Sequence, residues 1–180
     1  MSLPPPGDLT AAPRDLVHDL AGLLGGAEVV RRCVELLDGG DPRPELDLLP
    51  HLAGRPGVAY PAGGWPPYWP RVWAARALLY VWDDSAAPAV LAGLGDDSWR
   101  VVEMCLKVSA LRELPAGDRG VAATAHELSR VRSAALRALG AGGDVEHVPA
   151  VRAGLDDPDE QVRRSAARAL DRMRERLDLG

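Results

Sequence analysis

The chain has 180 residues, a length that allows one domain with a sizeable hydrophobic core. Alanine and leucine supply most of its 47% hydrophobic content, and isoleucine and phenylalanine are absent, which favours helices over strands. The formal net charge of −5 argues against a protein devoted to non-specific nucleic-acid binding, because that task needs a surplus of Lys and Arg.

The N-terminal part of the chain predicts a short segment followed by two helices. Residues 1–12 begin with MSLPPPGD, lack the basic and apolar pattern of a signal peptide, and are expected to be flexible. Pro13–Leu24 and Ala27–Asp38 are amphipathic patterns separated by two glycines. We therefore predict a helix pair over 13–38 that covers the first of a series of repeats.

An aromatic insertion is predicted at about residues 54–69. The tripeptide LAG at 52–54 resembles LAG at 91–93, but this offset of 39 exceeds the period found further along by about eight residues. The extra residues lead into 63–73, GGWPPYWPRVW, where the scarce aromatic residues concentrate. A loop between two helices tolerates such an insertion without disturbing the helices that it connects.

The remainder of the chain is repetitive. PAVLAGL at 88–94 returns as PAVRAGL at 149–155, and AARAL at 74–78 returns unchanged at 166–170. One basic residue marks each copy, and these residues are spaced by 31, 30 and 31: Arg76, Lys107, Arg137 and Arg168. The spacing indicates units of about 31 residues, each with a short helix, an acidic turn and a longer helix.

The acidic turns also carry signals for the start of the longer helices. In the last copy, Asp157 is predicted to cap the helix, with Pro158 at its first position and Glu160 completing a capping box. Ser98 and Ser129 stand at comparable starts in the earlier copies. Since a single helix pair cannot bury its apolar face, we expect the pairs to stack into a solenoid.

The motif DxxVR at Asp159–Arg163, followed by SAARAL, resembles the short HEAT-like repeat, a type familiar from bilin-lyase subunits and many bacterial proteins. The resemblance extends over about residues 40–178. It implies an all-α, right-handed α-solenoid of about five antiparallel helix pairs, with repeats at about 44–178 in a single domain, 13–180. The copy at 98–102 departs from the motif, because Ser98 replaces the Asp and Val102 the Arg, so an Asp–Arg ladder between repeats is interrupted there.

The aromatic residues are the first candidates for a binding site. The repeat register places Trp73 at a core-facing position. The partner-binding candidates are Trp65, Tyr68, Trp69 and Trp99. Two interpretations stay open: the insertion folds back and its aromatic rings form a local mini-core, or the rings form an exposed patch of the kind enriched at protein interfaces.

The basic row Arg76, Lys107, Arg137 and Arg168 is the second candidate. It can meet an acidic peptide or a phosphate backbone on the flank of successive helices. Alternatively, its members pair with the acidic turns, whose residues are Asp83, Asp84, Asp96, Asp97, Asp156 and Asp157.

Signals for catalysis are weak. The sequence contains no HExxH, GxSxG or phosphate-binding loop, and HELSR at 126–130 offers too few ligands for a metal, so no metal and no cofactor is expected.

The favoured function is a non-catalytic protein–protein interaction module or scaffold. One alternative is an enzyme similar to the HEAT-like DNA glycosylases, with Trp82, Asp83 and Asp84 at its site, and another is an accessory lyase-type subunit handling a tetrapyrrole.

The composition also indicates a cellular compartment and a class of partner. Cys33 and Cys105 are too few for a disulfide framework, and no apolar stretch approaches the ~20 residues of a membrane span, so a cytoplasmic protein is expected. Abundant Ala, Gly, Pro and Arg, with Lys107 as the only lysine, indicate a bacterial genome rich in G and C. The expected partner is another protein rather than nucleic acid, and the sequence leaves the oligomeric state open.

Overall fold

The computed structural model describes residues 3–178, and all regular secondary structure in that range is helical, as the sequence predicts. Those residues form eleven α-helices and several short 3-10 turns. The chain divides into two compact units, Met1–Val90 and Leu91–Gly180, and each is described by itself. The right-handed sense of the stack and the number of pairs stay predictions.

The first unit contains the predicted N-terminal pair and the first longer helix. Its helices are α1 (Pro13–Leu24), α2 (Gly26–Leu37), α3 (Leu49–Ala53), α4 (Arg55–Ala59) and α5 (Trp69–Ala77), and α6 (Ala87–Gly93) continues past the boundary between the units. Helix α1 packs against α2 and α3, and α2 packs against α5. Their apolar faces bury Leu20, Val29, Leu36 and Leu78 completely or almost completely, which removes enough apolar surface from water to hold these short helices together.

Residues 3–12, which were expected to be flexible, contact other residues of the first unit. The backbone N–H of Leu3 donates to a carboxylate oxygen of Asp47 at 2.9 Å, and the buried ring of His51 donates through Nε2 to the carbonyl of Pro4 at 2.9 Å. The first two residues of the segment lie outside the described residues. Flexibility of the segment stays a prediction, because it is a property of motion.

Part of the insertion is helical rather than a plain loop. It contains α4 and a 3-10 turn, Tyr60–Ala62. Gly54 joins α3 to α4 with a φ of +64°, a conformation that glycine adopts without steric cost. A Cβ atom on Gly57 would lie 2.1 Å from the carbonyl oxygen of Leu49, so α4 folds back closely on α3.

The second unit contains the later of the repeats that the sequence predicts. Its helices are α7 (Trp99–Arg112), α8 (Gly117–Ala123), α9 (Ser129–Gly142), α10 (Val148–Ala153) and α11 (Glu160–Leu177). The second helices of the successive repeats begin at Trp69, Trp99, Ser129 and Glu160, thirty or thirty-one residues apart, which confirms the predicted period. Within the unit, α9 lies between α7 and α11 and packs on both.

The prediction that Asp157 caps the last helix is wrong. Helix α11 begins at Glu160, so Pro158 precedes it, and the cap is Asp159, whose carboxylate accepts two backbone N–H groups of the first turn at 2.8 and 3.3 Å. Asp157 instead accepts two hydrogen bonds from the guanidinium of Arg132 at 2.7 and 2.8 Å. Asp157 also accepts the backbone N–H of Asp159 at 2.9 Å, so its carboxylate lies just ahead of the helix and forms a two-pronged, charge-assisted pair with Arg132 there.

Candidate functional site

The aromatic rings of the insertion gather around Trp73. Trp73 lies on α5 and is only 2% exposed, which confirms the predicted core position. The ring centroids of Tyr60, Trp65 and Trp69 lie 5.8–5.9 Å from that of Trp73, and Tyr68 lies 5.6 Å from Trp69. We call these five residues the aromatic cluster.

The geometry of the aromatic cluster matches the mini-core interpretation. Trp69 stacks on Trp73, whereas Trp65 meets both of these rings edge to face. Each favourable ring pair adds ~0.5–1.5 kcal/mol to the free energy gained from burial alone, so the cluster fixes the insertion onto α5. Trp65, Tyr68 and Trp69 keep part of their surface in solvent and therefore stay candidates for partner binding as well.

Trp99 has a different environment, in the second unit. It is the first residue of α7 and is partly exposed, and the guanidinium carbons of Arg100 and Arg130 lie 4.2 and 5.1 Å from the centre of its ring. Both distances are within the range of cation–π attraction. Trp99 lines a groove of about 510 Å³, which we call the tryptophan groove. Its other lining residues are Leu94, Gly95, Asp96, Asp97, Val102, Arg119, Ala122, Ala123, His126 and Glu127.

A second groove of about 450 Å³ holds two members of the predicted basic row. We call it the cation groove, and its lining residues are Glu103, Lys107, Ser129, Arg130, Ser133, Arg137 and Gln161. The buried carboxylate of Glu103 lies 2.7 Å from Lys107 Nζ and 2.9 Å from Arg130 Nη2. Because the guanidinium of Arg130 also contacts Trp99, the two grooves adjoin.

The four members of the basic row have different environments. In the first unit, Arg76 is partly buried and donates to the carbonyl of Leu52 at 2.8 Å, and burial lowers the pKa of its guanidinium. In the second unit, Arg137 donates through Nε to the carbonyl of Ser133 at 3.2 Å, and Arg168 is exposed on α11 without lining the cation groove. Within the second unit, Lys107 and Arg137 line the same groove.

Lys107, one member of the basic row, pairs with a carboxylate on its own helix and not with an acidic turn. Lys107 pairs with Glu103, one helical turn earlier on α7, because residues four apart lie on the same face of a helix. Arg132, which is outside the row, pairs with Asp157 of the last acidic turn. The hydrogen bonds from Arg132 hold the pKa of the Asp157 carboxyl below its usual range.

The sequence did not single out Arg130, Glu103 or Ser133, which line the cation groove. Ser133 is 4% exposed, and its hydroxyl oxygen has no hydrogen-bond partner among residues 3–178. A usable signal existed for Arg130, since the repeat period aligns it with Arg100 in the preceding copy. The period carries no information about which carboxylate such an arginine meets.

Trp82, Asp83 and Asp84, the residues considered for a glycosylase-like site, form hydrogen bonds within their own turn. The indole N–H of Trp82 donates to Asp84 at 2.9 Å. The carboxylate of Asp83 accepts hydrogen bonds from the hydroxyl and the backbone N–H of Ser85, and these bonds lower its pKa. Both aspartates are exposed, so neither has the desolvated environment that a tuned catalytic carboxyl needs. These contacts favour a turn over a catalytic site.

The two cysteine thiols also lie inside the fold, away from solvent. Both cysteines are buried, and burial raises the pKa of the Cys33 thiol to about 12 and raises that of Cys105 as well, so both stay protonated at neutral pH. Among residues 3–178, no group of three or more His, Cys, Asp or Glu side chains is placed to hold a metal ion. Over the same range, no helix has both the length and the apolar composition needed to cross a bilayer.

Comparison with known families agrees with the repeat geometry. Residues 118–179, about a third of the chain, match the family model described as HEAT repeats. The matched stretch begins one residue inside α8 and extends through α11, and it supports a HEAT-like repeat protein. HEAT repeats generally act as protein-interaction scaffolds. No curated protein sequence matches the chain at a significant level.

Proposed function

We propose that this chain is a non-catalytic protein-interaction module and that its partner binds the second unit where the tryptophan groove adjoins the cation groove. The observation that carries the proposal is Arg130, whose guanidinium contacts the ring of Trp99 and the carboxylate of Glu103. The arrangement joins an exposed aromatic edge to a cluster of cations. Tryptophan and arginine are the residue types most enriched at the energetic centres of protein interfaces.

The two grooves supply complementary kinds of contact. The tryptophan groove offers the indole of Trp99 and the small apolar side chains of Val102, Ala122 and Ala123 to an apolar side chain. The cation groove offers Lys107 and Arg137 to an acidic one. A peptide segment with an apolar residue close to an acidic residue therefore fits both. The aromatic cluster, by contrast, is proposed chiefly to stabilise the insertion.

The proposal is tested by selecting binders from a library of random peptides displayed on phage, with the purified full-length protein as the target. We expect the selected peptides to combine an aromatic or aliphatic residue with Asp or Glu. Trp99→Ala should weaken a selected peptide more than ~30-fold, which corresponds to the ~2 kcal/mol typical of a central interface residue. Binding is measured by isothermal titration calorimetry.

The matched control is Leu111→Ala. Leu111 is an exposed apolar residue on α7, the same helix as Trp99, and it lines neither groove. We expect this variant to bind the selected peptides as the parent protein does. Peptides that bind Trp99→Ala and Arg130→Ala as tightly as the parent protein would place the interaction surface elsewhere and refute the proposal.

The two enzymatic alternatives have less support. The glycosylase alternative needs a desolvated aspartate in a basic DNA-binding groove, whereas Asp83 and Asp84 are exposed turn residues and the chain is acidic. The lyase-type alternative rests on the repeat alone. We therefore propose a protein partner in the cytoplasm, with no cofactor.

A further inference from the structure

We infer that the cation groove binds the phosphate group of a phosphorylated serine or threonine in the partner. The inference rests on the proposed function, because it names the chemistry that one of the two adjoining grooves recognises. It depends on three features of the described residues: an unbalanced charge, a buried hydroxyl without a partner, and the position of the groove beside Trp99.

The charge of the cation groove is unbalanced. Lys107, Arg130 and Arg137 are cations, and Glu103 is the one carboxylate among the residues that line the groove, so these side chains carry a net charge of +2. The carboxylate of Glu103 is already shared between Lys107 and Arg130, while the charge of Arg137 is balanced by no carboxylate of the lining. A phosphomonoester carries a charge of ~−1.5 to −2 at neutral pH, which matches this surplus, whereas a carboxylate leaves part of it unbalanced.

The groove also contains an unused hydrogen-bonding group. The hydroxyl of Ser133 is buried in the lining and has no hydrogen-bond partner among the residues that the structure describes. A buried hydroxyl without a partner is unfavourable, so natural proteins rarely leave one unless a ligand or a bound water completes it. An anion between Lys107 and Arg137 supplies the missing acceptor. Ser129 cannot serve in this way, because its hydroxyl already donates to Asp159.

A phosphorylated peptide fits these features better than a nucleic acid does. Nucleic acids present one charge after another along a backbone, and a chain of net charge −5 repels such a ligand outside a local basic patch. A phosphopeptide places a single dianion in the cation groove and neutral side chains beside Trp99. Three phosphate oxygens also provide acceptors for more than one of the cations at once.

The test uses fluorescein-labelled, nine-residue degenerate peptides with phosphoserine, serine or glutamate at the centre. Fluorescence anisotropy with the full-length protein should show at least ~10-fold tighter binding of the phosphoserine peptides than of the serine peptides, with glutamate between them. Inorganic phosphate should displace the phosphoserine peptides. If serine and phosphoserine peptides bind equally, or if phosphate does not compete, the inference is overturned.

Arg137 and Arg168 form a matched pair for this experiment. Both occupy the same position in their repeats and both are exposed, but only Arg137 lines the cation groove. Arg137→Ala should weaken the phosphoserine peptides at least ~5-fold without changing the serine peptides, and Arg168→Ala should change neither. Equal losses in both variants would indicate general attraction by surface charge and would overturn the site.

Ser133→Ala gives a second and less disruptive test, since it removes one oxygen from a buried position. It should weaken phosphoserine binding while the thermal unfolding temperature is unchanged or rises. A single-stranded oligonucleotide that binds more tightly than the phosphopeptides and depends on Arg137 would reassign the groove to nucleic acid. If unphosphorylated peptides bind through Trp99 and phosphorylation adds nothing, the proposed function stands and this inference fails.

Discussion

Trp73 is the residue on which the aromatic cluster depends. Its ring meets those of Tyr60, Trp65 and Trp69, and its own side chain is buried. Trp73→Ala should lower the free energy of unfolding by ~3–5 kcal/mol, because it removes a large buried side chain and leaves its neighbours without contacts. Urea denaturation measures the change. The control is Trp82→Ala at a partly exposed position, and a similar loss there would contradict the central role of Trp73.

A comparison of Trp65→Ala with Trp99→Ala distinguishes an aromatic residue that stabilises the fold from one that is proposed to bind a partner. Trp65 contacts two rings of the aromatic cluster, so Trp65→Ala should lower the free energy of unfolding by ~1–3 kcal/mol. Trp99 contacts two arginine side chains at the surface, so Trp99→Ala should change it by less than ~1 kcal/mol. Thermal and urea unfolding of both variants measure the difference. If Trp65→Ala has no effect on stability, the mini-core interpretation fails.

Asp157 makes the stability of the second unit dependent on pH. Its carboxyl pKa is lowered in the folded protein, chiefly by the hydrogen bonds from Arg132, so the pair stabilises the fold at neutral pH. This stabilisation is lost as the pH falls below the ordinary value of 3.8 and through the lower folded pKa. Asp157→Asn should cost ~1–2 kcal/mol at pH 7, between the values for exposed and buried pairs.

The measurement for Asp157 is urea denaturation of the parent protein and the variant at pH 7, 5 and 3. The difference between them should shrink toward pH 3, because below 3.8 the unfolded parent chain takes up a proton that the folded protein binds less readily. Asp97→Asn, in an exposed acidic turn, is the control and should show a small difference at every pH. A difference for Asp157→Asn that stays constant down to pH 3 would refute the proposed role of its charge.

The packing of α9 on α11 depends on a glycine. A Cβ atom at Gly140 would lie 2.7 Å from the Cα of Ala169, closer than nonbonded atoms approach, so the helices would have to move apart. Gly140→Ala should therefore destabilise the protein by ~1–3 kcal/mol, although alanine is the better helix former. Thermal unfolding followed by circular dichroism measures the change.

Gly22 on α1 is the matched control for Gly140. It also lies inside a helix, but no atom beyond its chain neighbours and the nearby backbone of its own helix lies within 4 Å of the position that a Cβ would take. Gly22→Ala should stabilise the protein by ~0.5–1 kcal/mol through helix propensity and the lower entropy of the unfolded chain. A stabilising effect of Gly140→Ala would show that α9 and α11 are not in close contact.

The net charge of the whole molecule gives a prediction about the proposed class of partner. With a net charge of −5, the protein should not bind random double-stranded DNA measurably at physiological salt, because counterion release needs many cations on one surface. Fluorescence anisotropy with a labelled 20-base-pair duplex measures this, and the phosphopeptide assay is its positive control. Tight duplex binding that falls steeply with salt concentration would contradict the proposed protein partner.

Much of the helical architecture follows from local sequence. The recurrence of AARAL and PAVxAGL predicts longer helices thirty or thirty-one residues apart, and α5, α7, α9 and α11 begin at that spacing. The burial of Trp73 also follows from the repeat register. These features depend on apolar residues that recur every three or four positions, and such a pattern is already complete within one helix.

Only the tertiary structure decides which side chains meet. Asp157 resembles a helix cap within its own turn, but it pairs with Arg132, twenty-five residues earlier, and the capping role passes to Asp159. Arg130 reaches Glu103, twenty-seven residues earlier on another helix. A long charged side chain contacts whichever group the offset between neighbouring helices brings within reach. That offset is set by the close packing of whole helix faces, such as α9 on α7, and no local pattern encodes it.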